Sequence, residues 1–546
     1  MRKNAAKLMA LLMSAALLAG CSSGNQSAGT TSADTTAAET TTEEALVATT
    51  EAEKDLTPQE GGILNIGLPG SPKDLDPKNR TSLYESNIIS QVCDSLIIYS
   101  NDQSEYLPSL AKSWEISDDG LEYTFHLRDD VHFQKGEYQD GRLFTADDVK
   151  YSLERAKEAK NVTLVMLDHV EVIDDFTVKC VLNEANAIFM DALTGPTNMI
   201  VPKEEVEGWG DQFGAHLIGT GPFKLVEFKL DQETTLERNE DYWGPRPYLD
   251  GVCFKVISDA NQHVNGLKTG EIDMSTKISG EAIKLVQDDD NLVLLSQPNT
   301  SINFIGFNTE KGLTADVRIR QALAEAVDME DLCKGLYQYG EAVYAGQPMP
   351  TASWGYDESM DAMKQKYDPE HAKELLKEAG YPDGFKISIN FSNTSTNTKL
   401  ATILQQYWKT NLNVDLEIIG TEWAVYSQTV TAGDHDMYIV GISSTVDPHN
   451  FTGKCLGSQY IGTLPAGARL NDPEMDELVK ESLATSDQAA RKEVYKKIVA
   501  KTMELVPAMY FSSDNITWGT TNKVHGLCQK TYWNLCNSEV NVWMEQ

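Results

Sequence analysis

The chain has 546 residues, of which 41% are apolar, so it is long enough to form roughly two or three folded domains. Its 82 acidic residues outnumber 46 basic ones, and the formal net charge is −36. This charge argues against a nucleic-acid-binding protein and against direct adhesion to anionic lipid, because both of those partners attract basic surfaces.

Residues 1–20 predict a signal peptide of the lipoprotein type. Basic residues precede an apolar run at 8–18 that is too short to span a bilayer. The run 17–21, Leu-Leu-Ala-Gly-Cys, resembles the bacterial lipobox, which implies that the thiol of Cys21 carries diacylglycerol. The alternative is an ordinary signal peptide with a chance cysteine at this position.

Residues 21–60 predict a disordered acidic tether. They are rich in Ser, Thr, Ala, Gly and acidic residues, and Lys54 is the single base. Such a composition cannot bury a core. A flexible chain of this length would hold a folded part roughly 35 Å from a membrane surface on average.

From residue 61 onward, short strands alternate with amphipathic helices, which predicts an α/β fold. Thr145 and Asp148 can cap the free amides at the start of one helix. The run Gly219–Phe223 predicts a turn that feeds a strand rather than a phosphate-binding loop, because Pro222 removes an amide donor. The predicted strands are 63–68, 122–127, 171–181, 234–238, 251–257 and 386–391, and the predicted helices are 146–158, 317–327, 369–378, 399–409 and 487–504.

Signatures of catalysis and of cofactor binding are missing from the sequence. It has no nucleophile elbow, Walker phosphate loop, zinc-binding His-Glu helix or calcium loop, and its nine histidines are dispersed. The cysteines after Cys21 lack the spacing of zinc, haem or thioredoxin sites. Cys528 and Cys536, the close pair, form either a disulfide or two buried single thiols. We therefore expect no catalytic site and no cofactor.

The stretch 107–120, continuing through 123–131 to 145–149, resembles the signature of solute-binding protein family 5. That family holds the oligopeptide-, dipeptide- and nickel-binding subunits of ABC importers. Its order and spacing continue along nearly the whole folded region. The further matching fragments are 61–66, 74–77, 219–223, 239–243, 307–308, 316–323, 326–328, 367–372, 379–381, 422–423 and 447–448.

The resemblance implies a periplasmic-binding-protein-like fold, in which two lobes close over a ligand like a hinged trap beside a third, inserted domain. It places lobe I at 61–101, 219–310 and 507–546, the insert at 102–218 and lobe II at 311–506. It also implies a monomer that binds a peptide or peptide-like solute outside the cytoplasm, with ABC permease and ATPase subunits as partners. Contact with the membrane would be through the lipid on Cys21 alone.

The resemblance further implies which residues touch the ligand. One wall of the cleft is expected to follow the turn at 74–77, and the other to run along 441–449 with two aromatic residues behind it. Aromatic side chains suit such a cleft because they offer area without demanding directional partners. The expected ligand-binding residues are Thr81, Ser82, Leu83, Tyr84, Trp423, Tyr426, Ser443, Ser444, Thr445, Asp447 and His449.

One departure from the family pattern bears on the ligand. Peptide-binding relatives carry Gly-Trp followed by an aspartate that neutralises the α-ammonium group of the peptide. Here Ile442 follows Gly441, the loop is one residue shorter, and Ser444 or Thr445 stands at the acid's place. Because a buried ammonium needs a counter-ion, Asp447 is the predicted substitute. Its alternative is a turn acid that caps amides near Pro448.

Two other functions remain open. A nickel or metal-chelate importer subunit is the first, because the run 447–449, Asp-Pro-His, resembles the end of the cleft loop in nickel-binding relatives. His449 would then be the metal ligand, and affinity should fall as pH drops through about 6.5. A secreted hydrolase or adhesion protein is the second, but hydrolysis requires an activated nucleophile or a metal site, which the sequence does not offer.

Overall fold

The computed structural model describes residues 57–158 and 164–546. The predicted signal peptide, Cys21 and most of the predicted tether lie outside the described residues. None of the helices in the described part is long and apolar enough to cross a membrane. The seven cysteines from Cys93 to Cys536 are free thiols, and six of them are buried. Cys528 and Cys536 therefore form no disulfide.

The strands are given in chain order. They are β1 (Ile63–Leu68), β2 (Ile97–Tyr99), β3 (Tyr106–Pro108), β4 (Ala111–Ile116), β5 (Glu122–Leu127), β6 (Leu167–Asp174), β7 (Thr177–Leu182), β8 (Phe223–Lys229), β9 (Glu233–Arg238), β10 (Gly251–Val256), β11 (Met274–Ser275), β12 (Leu292–Pro298), β13 (Ser301–Phe307), β14 (Ala342–Val343), β15 (Lys386–Ser392), β16 (Asp415–Thr421), β17 (Met437–Ser443), β18 (Ala508–Thr521), β19 (Val524–His525) and β20 (Trp543–Met544).

The helices follow in the same order. They are α1 (Leu83–Val92), α2 (Ala146–Lys157), α3 (Phe189–Leu193), α4 (Lys203–Trp209), α5 (Ala260–Thr269), α6 (Glu281–Gln287), α7 (Val317–Glu325), α8 (Met329–Leu336), α9 (Pro369–Glu378), α10 (Ser395–Leu412), α11 (Trp423–Ala432), α12 (Gly453–Leu456), α13 (Pro473–Glu481) and α14 (Gln488–Leu505).

Local sequence signals account for several of these elements. The predicted cap at the start of α2 is confirmed, since the backbone amide of Thr145 donates to Asp148 at 2.9 Å and the Thr145 side chain completes a capping box. The predicted strand 171–181 is wrong as a single strand. It is the antiparallel pair β6–β7, which reverses where Asp174 accepts a hydrogen bond from the amide of Phe176 at 2.9 Å.

The run Gly219–Phe223 is a turn into β8, as predicted. It packs directly against the last residue of α1: a Cβ added at Gly219 would lie 2.4 Å from the carbonyl oxygen of Val92, and one at Gly221 would lie 2.6 Å from its carbonyl carbon. Glycine is required at both positions because no side chain fits there.

The main sheet has the order β16-β15-β17-β13-β18-β11-β1-β10-β9-β8, and β12 and β14 also pair with β18. Strand β18 joins its two parts. Early in β18, Ala508 opposes Gly306 of β13, and at its end Thr521 opposes Leu292 of β12. We call β1 and β8–β12 the first half of the sheet, and β13 and β15–β17 the second half.

This pairing shifts the lobe boundaries from those expected from the sequence. The sequence assigned 301–307 and the start of β18 to lobe I, yet β13 pairs with β17 along its whole length and with residues 508–512. The chain thus passes between the halves at 299–300 and again at 513–514. Helices cover both faces of both halves, so each half is buried between two apolar layers.

A separate antiparallel sheet, β4-β5-β7-β6, packs against α2. It has its own apolar core, which runs from Leu96 to Ile200 and includes the fully buried rings of Phe125, Phe144 and Phe189. This core begins at Leu96, before the predicted insert 102–218, and reaches Ile200 within it. The last part of that insert, around Phe213, packs instead into the core of the first half.

Candidate functional site

A cleft of about 710 Å³ lies where the two halves of the sheet meet at β18. Tyr84 of α1 and Trp518 of β18 line it from the side of the first half. Asn303 of β13, Gly441 of β17 and Phe511 of β18 line it from the side of the second half. The remaining polar lining includes Asn87, Thr276, Asn299, Tyr337, Thr394, Asn397 and Thr531. A cavity with aromatic walls and amide or hydroxyl groups can hold a flexible polar ligand.

Charges of both signs line this cleft: Asp514, Glu341, Lys277, Lys399 and Lys530. None of the five forms an ion pair with another described residue. Both oxygens of Glu341 accept backbone amides, from Gly280 at 3.0 Å and Tyr339 at 3.2 Å. Lys530 donates to two backbone carbonyls, at 3.3 and 3.1 Å. Glu341 and Lys530 are thus held by backbone groups, but no ion pair with another described residue neutralises any of the five charges.

The wall predicted at 81–84 is only partly in the cleft. Leu83 and Tyr84, at the start of α1, line it. The backbone amides of Thr81 and Ser82 donate to the buried carboxylate of Glu85 at 2.7 and 2.6 Å, and neither residue lines the cleft. Glu85 thereby caps α1 and fixes where Tyr84 points.

The wall predicted at 441–449 leaves the cleft after Gly441. The amide of Ser444 donates to the carbonyl of Thr300 at 3.1 Å, next to the end of β17 at Ser443. The hydroxyl of Thr445 donates to Asp191 of the inserted domain at 2.5 Å. Thr445 lines a second cavity of about 50 Å³ instead. At the expected place of the acid, the hydroxyl of Thr445 is thus already bonded.

Asp447 is fully buried and paired with a charged partner. Its two oxygens accept hydrogen bonds from the guanidinium of Arg491, at 2.7 and 2.9 Å, and one of them also accepts the amide of His449 at 2.9 Å. The guanidinium packs over the ring of Trp354, 5.0 Å from its centroid. The carboxylate charge is already neutralised, which argues against Asp447 as the anchor of a ligand ammonium and agrees with its alternative as a turn cap.

His449 also lies away from the cleft. It is fully buried, its Nε2 is 3.1 Å from the hydroxyl of Tyr460, and burial lowers its pKa to about 3. The imidazole is neutral at all physiological pH. Protonation of His449 therefore cannot cause the expected loss of affinity as the pH drops through 6.5. Within the described residues, no group of three or more His, Cys, Asp or Glu side chains is placed to hold a metal ion.

The two aromatic residues expected behind the loop do not reach the cleft. Trp423 is 57% exposed at the start of α11. Tyr426 is buried in the core of the second half, where its hydroxyl donates to the carbonyl of Ile439 at 2.5 Å. Tyr426 is therefore a core residue, and Trp423 is a surface residue in this conformation.

The sequence analysis did not single out two buried acids, Asp94, which lines the smaller cavity, and Asp191, which bonds two residues that line it. Asp191 accepts hydrogen bonds from Tyr99 at 2.7 Å and from Thr445, and burial raises its pKa to about 6. Asp94 accepts from Thr220 at 2.8 Å and from Trp243 at 2.9 Å. The sequence signal for Asp94 was a lone acid beside apolar residues at 96–98.

The buried carboxyl of Asp94 predicts a pH dependence of stability. Burial raises its pKa from 3.8 to about 6, only partly opposed by hydrogen bonds from Trp243 and Thr220. Between these two pH values the folded state binds more protons than the unfolded state. The contribution of Asp94 to the free energy of unfolding therefore falls as pH rises from about 4 to about 6.

The Asp94→Asn variant should consequently lose less stability over that pH range than the wild type. Urea unfolding at a series of pH values measures the difference. Asp290→Asn, which changes an exposed carboxylate, is the matched control and should follow the wild type. If the free energy of unfolding changed equally with pH in the wild type and in Asp94→Asn, the pH dependence could not be assigned to Asp94.

Comparison with known proteins shows the family to which the chain belongs. A sequence profile of "Bacterial extracellular solute-binding proteins, family 5 Middle" matches residues 105–462. Heme-binding protein A of Haemophilus influenzae is 33% identical over 436 residues, which cover 74% of this chain and 79% of the relative.

Solved structures of bacterial binding proteins have the same fold as this chain. The periplasmic binding protein DppA of Helicobacter pylori, in complex with the peptide STSA, has a TM-score of 0.75 and 27% identity, and covers 89% of this chain and 99% of that protein. NikZ of Campylobacter jejuni, in complex with Ni(L-His), has a TM-score of 0.71 and 25% identity, with coverage of 88% and 97%. These neighbours confirm the predicted periplasmic-binding-protein-like fold. The chain belongs to family 5 of the bacterial extracellular solute-binding proteins, and it is an extracytoplasmic substrate-binding subunit of an ABC importer rather than an enzyme.

Proposed function

We propose that the chain captures a peptide or peptide-like solute in the cleft at β18 and delivers it to the permease of its importer. The observation that carries this proposal is the set of acidic and basic side chains in one cleft without ion-pair partners among the described residues. A free peptide is a zwitterion, so it presents an ammonium and a carboxylate to such a cleft. The peptide-bound DppA neighbour supports the same ligand class.

The size and lining of the cleft suit a short peptide. Its volume of about 710 Å³ falls within the range of about 300–1,000 Å³ typical of small-ligand pockets. Tyr84, Trp518 and Trp533 offer apolar area to side chains of any shape, and Asn299 and Asn303 offer amides to a peptide backbone. A nickel chelate is less well supported, because the imidazole of His449 is buried away from the cleft.

Capture should proceed by closure of the two halves. The chain crosses between them at 299–300 and 513–514, and these short segments can act as a hinge. A ligand that touches both halves stabilises the closed state by its differential affinity for that state. The closed state then presents the surface that the permease and its ATPase recognise. The lipid on Cys21 and the tether 21–60 keep the monomer near that permease.

Small-angle X-ray scattering should therefore give a smaller radius of gyration after ligand is added. The ligand should be recovered chemically intact, because the protein binds without catalysis. An unchanged radius of gyration at saturating ligand would contradict closure.

The ligand class is tested by native mass spectrometry of the purified protein, followed by calorimetric titration. The titrants are a set of dipeptides to pentapeptides and, separately, nickel with L-histidine. We expect an intact peptide-like solute in the mass spectrum and heat from peptides. Heat from nickel–histidine alone, abolished in His449→Ala, would reverse the proposal in favour of a metal chelate.

A further inference from the structure

We propose that Asp514 binds the positively charged group of the ligand, so that the cleft selects solutes with a free amine. This inference rests on the proposed function of the cleft. It concerns a residue on the strand that joins the two halves, outside the loop 441–449 to which the sequence pointed.

The position of Asp514 directs its carboxylate into the cleft. It lies on β18 where the chain crosses between the halves, and it lines the cleft. Its backbone is held on both sides, by the Oγ of Ser301, which lies 3.2 Å from its amide, and by the amide of Asn299, which donates to its carbonyl at 2.9 Å. The carboxylate is therefore carried on rigid backbone, as a recognition group requires.

Asn303 fixes the direction of that carboxylate. Its Nδ2 donates to Oδ1 of Asp514 at 2.7 Å and to Ser512 at 3.0 Å. The other end of the Asn303 side chain is held against β17, because a Cβ added at Gly441 would lie 2.3 Å from its Oδ1. Gly441 thus leaves room for the amide that orients Asp514.

The charge of Asp514 lacks a counter-ion among the described residues. Its carboxyl group interacts with the neutral side chains of Asn303 and Ser301, and Lys277 is near enough to favour the charged form without forming an ion pair. Burial raises the pKa of Asp514, as it does for any carboxylate removed from water without a cation. A ligand ammonium against Oδ2 would supply the missing cation.

Two buried acids and the second acid of the cleft differ from Asp514 in their partners. Asp447 is paired with Arg491, and Asp76 is paired with Arg155 at 2.7 and 2.5 Å. The second acid of the cleft, Glu341, has both oxygens occupied by backbone amides. Among these acids, Asp514 alone combines a place in the cleft with a carboxylate that is bonded neither to a cation nor to a backbone amide of the described residues.

The test pairs Asp514→Asn with Asp290→Asn as the matched control, because Asp290 is an exposed carboxylate outside the cleft. Asparagine keeps the oxygen that accepts from Asn303, so the variant should fold, and its unfolding temperature verifies this. Each protein is titrated with dipeptides to pentapeptides that have free amino termini and with the N-acetylated form of each. We expect Asp514→Asn to weaken binding of the free-amine peptides by about thirtyfold or more, and Asp290→Asn to leave it within about threefold.

N-acetylation should weaken binding to the wild type and make little further difference to Asp514→Asn, since either change removes the same ion pair. Equal affinity of the wild type and Asp514→Asn for free-amine peptides would overturn the assignment of Asp514 while leaving the peptide proposal intact. Absence of heat from every peptide with the wild type would contradict the proposed function itself, and this inference with it.

Discussion

Replacing Arg491 by Met should lower the free energy of unfolding by about 3–5 kcal/mol, because it leaves the carboxylate of Asp447 buried without a counter-ion. Both side chains are almost completely excluded from solvent, with 4% and 0% exposed. Methionine keeps an apolar chain against Trp354 and Tyr495, so most of the loss is electrostatic. Urea and thermal unfolding of the full chain measure it.

An exposed pair provides the control. Arg318 pairs with Asp316 at 2.6 Å on the surface, with 46% and 30% of the two side chains exposed. Arg318→Met should cost no more than about 1 kcal/mol, because water screens such pairs. The double variant Asp447→Asn with Arg491→Met should be more stable than the sum of the single changes predicts, since it removes the stranded charge. A cost below about 1 kcal/mol for Arg491→Met would contradict a structural ion pair.

Replacing Cys21 by Ala should move nearly all of the protein from the membrane fraction to the soluble fraction. The run 17–21 resembles a lipobox, and two acyl chains on one cysteine give stable anchoring, at about 0.8 kcal/mol for each buried CH₂ group. Without the thiol, neither chain of the predicted anchor would be attached. Fractionation of cells with and without detergent measures the change.

Cys528→Ala is the matched control, because this cysteine is half-buried in the folded part. It should leave membrane retention as in the wild type. If the Cys21→Ala protein still required detergent for its release, the lipid anchor would have to be placed elsewhere.

The sequence by itself determined the features that depend on neighbouring residues and on the order of motifs. The capping box of α2 needs only Thr145 and Asp148, three residues apart, and it forms as predicted. The turn at Gly219–Phe223 and the strands β1, β5, β10 and β15 follow from local spacing in the same way. The family followed from fragments that recur in a set order along the chain, as the matched profile confirms.

Only the tertiary structure decided which charges face the ligand. The sequence predicted Asp447 and His449 as cleft residues. In the structure Asp447 pairs with Arg491, 44 positions away, and Asp447 and His449 are both buried outside the cleft. Asp514 is oriented by Asn303, which lies 211 positions away in the sequence on β13. No local sequence pattern predicts that β13 and β18 pair. A carboxylate is available to a ligand only if no cation of the protein reaches it first, and such long-range pairing is set by how the two halves of the sheet come together.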